Sequence, residues 1–137
     1  MNRRMLIALL AVTASTLTIA SANEADKWII VGESGTDTFS IKKDSFENTT
    51  TKGGEEIAVV IGRSVSTKTK QISLEKWYVR VADCRAGCGQ LATLSIDGEF
   101  RYENPWLEDG GSIASSIADV ICSAHARISS EEQSKSI

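Results

Sequence analysis

The sequence predicts an α+β fold in which a small antiparallel β-meander of about five or six strands carries one C-terminal helix. Two observations support this fold class. Between residues 28 and 102, short runs with apolar residues at alternate positions are separated by turn-forming residues, which is typical of half-buried strands. After Ser112 the apolar residues recur at helical spacing. All of the strand-like runs precede the helical one, and this order is that of an α+β domain.

The first strands are predicted from short apolar runs. Residues 28–31 and 38–41 lie on either side of a turn-forming segment and predict a hairpin. Residues 57–61, Ile-Ala-Val-Val-Ile, are apolar at both parities and mostly β-branched. This pattern is typical of a central strand or of one that is covered on both faces.

The next strand contains a change of parity. Ile72 and Leu74 occupy even positions, whereas Trp77 and the valines that follow it occupy odd ones. One regular strand cannot place both sets on the same face, so we expect a bulge or bend near residues 75–76. The strand then breaks at residues 83–84 into a glycine-containing turn with two cysteines.

A second hairpin is predicted after the cysteine turn. A three-residue loop over residues 96–98, ending in a left-handed glycine, pairs Leu94 with Phe100 and Ala92 with Tyr102. A two-residue Asp-Gly loop would instead place apolar residues opposite polar ones. The pattern therefore favours the longer loop.

The helix is predicted from its capping residue and its apolar stripe. Pro105 should end the sheet because proline cannot donate to a strand ladder, and Ser112 is a good N-cap. The predicted stripe consists of Ile113, Ile117, Val120, Ile121, Ala124 and Ile128. We expect one domain over residues 23–130 and a polar tail over residues 131–137.

The N-terminal segment has the three parts of a secretory signal peptide. Arg3 and Arg4 precede an apolar run at residues 5–12, and small residues follow up to Ala22. We expect cleavage after Ala22, which makes residues 1–22 the signal peptide and the product periplasmic or secreted. Thr and Ser interrupt the segment, so it is weak as a membrane span, and none is expected after cleavage.

Charge and composition exclude several function classes. Without Arg3 and Arg4, the 15 basic residues become 13 against 18 acidic ones, a net charge of −5. Nucleic acid is therefore not expected as a partner, because phosphate binding relies on clustered Lys and Arg. No general acid/base pair and no nucleotide-binding glycine loop stands out, so we expect no cofactor and no enzyme.

The three cysteines allow several arrangements. In an exported protein they predict one disulfide and one leftover thiol. A Cys84–Cys122 link closes a loop of about 39 residues and stabilises the fold by roughly 4 kcal/mol, against about 2 kcal/mol for Cys84–Cys88. The longer link is the better stabiliser, although Cys122 points away from the predicted helical stripe. A zinc site of Cys84, Cys88, Cys122 and His125 is a third arrangement.

Several short motifs resemble those of the surface-adhesin protein E-like family, in the same order along the chain. They are Trp28 with Val31, Asp83-Cys84, Trp106, Gly110-Gly111-Ser112 and Ile121-Cys122. The resemblance implies a small antiparallel sheet with a C-terminal helix, export from the cell, and a disulfide between Cys84 and Cys122. It also implies adhesion to host matrix. Cys88 has no counterpart in that pattern and is expected to be a free thiol.

The resulting functional expectation is an exported, non-catalytic binding or adhesion module with a protein partner. Trp106, Tyr102 and Asp97 are the candidate binding surface, because Trp106 follows a proline in a predicted loop. A homodimer through Cys88 remains an alternative. The second function class is a periplasmic effector-type protein, such as an inhibitor or an envelope-stress component, with a thiol or zinc enzyme as its least favoured form.

Overall fold

Seven strands form one antiparallel sheet in the computed structural model, which describes residues 27–135. One long helix and one short helix accompany the sheet, and the predicted α+β fold is confirmed. The elements are β1 (Trp28–Glu33), β2 (Asp37–Lys42), β3 (Glu47–Thr50), β4 (Glu56–Ser66), β5 (Ile72–Arg80), α1 (Val81–Ala86), β6 (Cys88–Ser95), β7 (Phe100–Leu107) and α2 (Ile113–Lys135). The predicted signal peptide lies outside the described residues.

The central position of β4 is confirmed by the strand order, which is β1-β2-β4-β5-β6-β7. β4 has 11 residues and two partners along one side. β2 pairs with residues 62–66 and the short β3 pairs with residues 56–59. Such an arrangement requires a long strand, and the apolar run at residues 57–61 forms its buried first half.

One face of the sheet packs against α2 and forms the core. Residues opposite each other on neighbouring antiparallel strands lie on the same face, and here Val60 is opposite Trp77 and Ala58 is opposite Val79. α2 packs its buried side chains onto these residues. The core cluster consists of Ile41, Ala58, Val60, Trp77, Val79, Leu91, Trp106, Ile117, Ala118 and Ile121.

The contact face of α2 is rotated from the predicted stripe. Ile117 and Ile121 are buried, but Val120 is 37% exposed, whereas Ser115 and Ala118 are buried instead. Small side chains allow the helix to approach the sheet closely, so they occupy the centre of the contact. The N-cap prediction is confirmed, because the Ser115 backbone N–H donates to Ser112 Oγ at 3.0 Å. α2 continues as helix through residues 131–135, which are exposed.

The predicted bulge near residues 75–76 is wrong. β5 pairs with β4 without a register shift from Ile72 to Arg80. Ile72 and Leu74 simply lie on the face opposite Trp77, where they are exposed. α2 covers one face of the sheet, so the strand has no need to turn both apolar sets inward.

The second hairpin is confirmed at its tip and corrected further along. Leu94 is opposite Phe100, and Gly98 has a φ of 96°. A register shift between Thr93 and Leu94 then places Tyr102 opposite Thr93 rather than Ala92. The extra residue, Arg101, lies in β7 and forms a bulge.

Pro105 does not end the sheet. It lies inside β7 and is opposite Gln90. Because β7 is an edge strand, a residue on it can lack a backbone donor without breaking a ladder on its outer side. The sheet therefore continues to Leu107, and Trp106 belongs to a strand rather than to a loop.

Candidate functional site

A disulfide joins the short helix α1, which follows β5, to α2. Cys84 in α1 and Cys122 in α2 have an S–S distance of 2.09 Å and a Cα–Cα distance of 5.5 Å. The Cys84–Cys122 pairing is confirmed, and the Cys84–Cys88 alternative is wrong. Cys122 is half-buried beside the core because the contact face of α2 includes Ala118, one turn before it.

The predicted cysteine turn is a short helix, α1. Its last turn closes with a bond from the Gly87 N–H to the Asp83 carbonyl at 2.9 Å. Gly87 has a φ of 77°, the left-handed conformation that commonly follows a helix C-terminus. The glycine predicted to bend the chain therefore ends a helix, and α1 places Cys84 towards α2.

The zinc alternative is contradicted by the same disulfide, which uses two of its four ligand atoms. His125 Nδ1 is instead 2.9 Å from Asn48 Oδ1 on β3. Cys88 is the free cysteine of the described residues and is exposed at the first position of β6, opposite Leu107. Among residues 27–135, no three His, Cys, Asp or Glu side chains are grouped so that they could hold a metal ion.

The candidate binding residues Trp106, Tyr102 and Asp97 do not form one surface. Trp106 is 5% exposed and belongs to the core cluster, so its ring is not available to a partner. Tyr102 is 48% exposed on the α2 side of the sheet, and Asp97 is exposed in the hairpin loop. The loop assignment of Trp106 led to this error, because a residue in an edge strand can face the core.

The sheet face away from α2 is the surface that sequence reasoning missed. Alternation and register define the side chains on this face from β1 to β7, and we select from them the apolar and basic residues around Leu74 together with Ile30 of β1. We call this set the open face. It consists of Ile30, Ile61, Arg63, Val65, Ile72, Leu74, Lys76, Leu94 and Phe100. In the sequence, the apolar residues at even positions of β5, Ile72 and Leu74, are the pattern that indicates this face.

The apolar members of the open face are unusually accessible. Ile30, Ile72, Leu74 and Phe100 are 61%, 57%, 48% and 59% exposed. Ile61, Val65 and Leu94 lie between them and are half-buried. The members on β4–β7 therefore present a largely aliphatic surface, and Ile30 on the edge strand β1 is separated from them by Ser40 of β2.

An ion-pair network closes one end of this sheet face. Arg80 Nε is 3.1 Å from Glu55, and its Nη2 is 3.1 Å from Glu103. The hydrogen bond to Glu103 is the main cause that raises the pKa of Arg80. Ala92, which lies on β6 between the strands of Arg80 and Glu103, is fully buried. This end of the face is therefore polar and covered, in contrast to the open face beside it.

Comparison with protein-family models found no match, and searches among curated proteins and solved structures found no significant similarity. The fold class and the site are therefore described from this structure alone. The protein is an α+β domain with one long helix on one sheet face and an accessible apolar surface on the other. Within residues 27–135, no helix is long and apolar enough to cross a membrane.

Proposed function

We propose that this protein is an exported, non-catalytic binding module of adhesion type, and that its open face contacts a protein partner. The observation that supports the proposal is the large group of accessible apolar side chains on one side of the sheet. Contiguous apolar patches of this kind mark interaction sites in soluble domains, whereas single exposed apolar residues are ordinary.

The architecture fits a binding role better than a catalytic one. α2 and the disulfide hold the sheet rigid from behind, so the open face is presented on strands rather than on loops. The thiol of Cys88 and the imidazole of His125 are the groups from which a nucleophile and its base would be drawn. The side chain of His125 is hydrogen-bonded to that of Asn48. Cys88 is the first residue of β6 and lies opposite Leu107 of the edge strand β7. They do not form the hydrogen-bonded pair that nucleophilic catalysis requires.

The alternative function is that of a periplasmic effector. It differs from an adhesion-type module in where the protein is located, and not in which face binds the partner. Export rests on Arg3-Arg4, the apolar run and the small residues before Asn23. We expect N-terminal sequencing of the protein from its native cells to start at Asn23. Labelling of intact cells with a membrane-impermeant reagent should modify an adhesion-type module, whereas recovery in osmotic-shock fluid alone would favour the effector.

Photo-crosslinking tests the open face directly. We expect a photoreactive residue at Ile72 to give a discrete crosslinked product in native cells, and Leu74→Asp in the same chain to remove that product. An aspartate in the middle of an apolar contact would have to be desolvated without a partner. The measurement is the presence and mass of the product on a denaturing gel.

Leu107→Asp is the matched control, because Leu107 is 60% exposed but lies beyond Arg80 and Glu103, outside the open face. It should leave the product unchanged. The proposal fails if the product survives Leu74→Asp, or if Leu107→Asp removes it equally well. A product of twice the mass of the chain would identify a homodimer instead.

A further inference from the structure

Three basic residues lie on the α2-distal side of β4 and β5, and they differ in what surrounds them. Arg63 is opposite Leu74, Lys76 is opposite Ile61, and Arg80 is opposite Ile57. Arg80 has two carboxylate partners, Glu55 and Glu103. Arg63 and Lys76 have no ion pair with any residue in the described part of the chain. The two unpaired cations are members of the open face.

Arg63 is held in a fixed position. Its guanidinium carbon lies 4.4 Å from the centroid of the Trp28 ring, a cation–π contact. Its Nε is buried and has no hydrogen-bond partner within residues 27–135. On β2 its neighbour is Ser40, which is almost fully buried. The stacking therefore orients the positive charge but does not neutralise it.

The positive charge of this surface extends beyond Arg63. Lys76 lies between Ile61 on β4 and Leu94 on β6. Lys68 and Lys70 are exposed in the turn that leads into β5 beside Ile72. Of the carboxylates on the same side of the sheet, Glu103 is paired with Arg80 and Glu47 lies on β3 opposite Val59, so neither forms an ion pair with Arg63 or Lys76. The exposed carboxylate on the same side of β1 is Glu33, at the end of that strand opposite Thr38.

We propose that the occupant of the open face is an acidic, apolar segment of a protein partner. Its carboxylates pair with Arg63 and Lys76, and its apolar side chains pack on Ile72, Leu74 and Phe100. A guanidinium carries its donors in a planar fork that carboxylates bind with two hydrogen bonds. This inference rests on the proposed function and names the chemistry of the partner.

Charge disfavours a second copy as the occupant. A two-fold contact uses the same surface on both subunits. It would bring the unpaired cations of one open face against those of the other, which costs free energy unless an anion intervenes.

The arrangement of the surface also disfavours a membrane. Lipid-binding surfaces place their apolar groups deeper than their cations. On the open face the cations lie in the same plane as the aliphatic residues and alternate with them. A protein segment with alternating acidic and apolar side chains matches that pattern directly.

The test uses two synthetic peptides of equal length, one of alternating Glu and Leu and one of alternating Lys and Leu. Binding to the protein is measured by fluorescence polarisation at low and high salt. We expect the Glu-Leu peptide to bind, with an affinity that falls as salt rises, and the Lys-Leu peptide to bind at least tenfold more weakly. Arg63→Gln should weaken Glu-Leu binding by about tenfold and Lys76→Gln by about threefold.

Lys52→Gln is the matched control, because Lys52 is exposed in the turn at the opposite end of β4. It should change the affinity by less than twofold. Arg63→Glu should reverse the preference and favour the Lys-Leu peptide. Thermal denaturation of each variant shows whether the fold is retained, and Arg63→Lys, which keeps the charge, should recover part of the binding.

Several results would overturn the inference: equal affinity for the two peptides, no effect of Arg63→Gln, or stronger binding to anionic phospholipid vesicles with the same variant pattern. Concentration-dependent dimerisation that Leu74→Asp abolishes would identify a second copy instead. If Leu74→Asp removes the crosslinked partner but Arg63→Gln and Lys76→Gln do not, the binding function stands and the acidic partner does not. If none of these variants changes the crosslink, the binding function itself fails.

Discussion

Replacing Cys122 by serine is expected to lower the free energy of unfolding by about 2–5 kcal/mol, the range measured when small domains lose a native disulfide. The link spans a sequence separation of 38 residues and connects α1 to the middle of α2. Without it, the unfolded chain gains the conformations that the link excluded. In the folded Cys122→Ser variant, packing alone would hold α2 on the sheet. Urea denaturation followed by circular dichroism measures the difference.

Cys88→Ser is the control for this experiment. Cys88 is exposed and carries no disulfide, so its replacement should change the unfolding free energy by less than about 0.5 kcal/mol, as for ordinary surface substitutions. Adding a reductant to the natural chain should reproduce the Cys122→Ser curve and should leave that variant unaffected. Equal stability of the Cys122→Ser variant and the natural chain would show that packing alone fixes α2.

The fold class could be predicted from the sequence because alternation and helical spacing are local signals. The error at β5 came from a further assumption, that every apolar residue faces the core. The sequence correctly predicts that Ile72 and Leu74 belong to a strand, but their even positions wrongly predict a bulge. A sheet covered on one face by a single helix leaves the second face accessible. The coverage of a face depends on tertiary packing, which local patterns do not report.

Local rules also failed where an edge position changes their consequence. A proline would interrupt a central strand, but Pro105 lies in an edge strand, where it is tolerated. That β7 is an edge strand follows from the order of the strands in the sheet. A loop at Trp106 predicts an exposed ring, whereas in the edge strand the ring faces the core. Similarly, the large apolar residues predict the stripe on α2, whereas Ser115 and Ala118 are buried in the contact with the sheet.

The charge pattern of the open face depends on contacts that are distant in sequence. Arg80 meets Glu55 and Glu103 over separations of 25 and 23 residues. Arg63 of β4 makes its cation–π contact with Trp28 of β1. In the sequence the three basic residues Arg63, Lys76 and Arg80 look equivalent. Strand register decides which cation is neutralised within the domain and which remains available to a partner.

Trp77 occupies the centre of the core between the sheet and α2. It is almost fully buried, and its ring contacts that of Phe39 with a centroid distance of 6.4 Å. Its Nε1 donates to a Glu75 carboxylate oxygen at 3.0 Å. On β4 the ring lies directly over Gly62, so closely that a β-carbon at that position would overlap with it. The absence of a side chain at Gly62 is therefore part of the packing.

Trp77→Ala is expected to lower the free energy of unfolding by about 3–5 kcal/mol, the usual range for a large aromatic residue removed from a core. The loss combines the buried area of the ring, the cavity left behind and the unpaired carboxylate of Glu75. Gly62→Ala should cost about 1–3 kcal/mol by overpacking against the ring. Both values are measured by urea denaturation with the disulfide intact.

The double variant distinguishes specific packing from general loss of structure. With Trp77→Ala the ring no longer overlaps the β-carbon, so adding Gly62→Ala should stabilise that variant by about 0.5–1 kcal/mol, because alanine loses less backbone entropy than glycine in a strand. Gly35, in an exposed turn with open space around its Cα, provides the matched Gly→Ala control. A Gly62→Ala cost that is the same with and without the Trp77 ring would contradict the assigned contact, since the penalty would then originate elsewhere in β4.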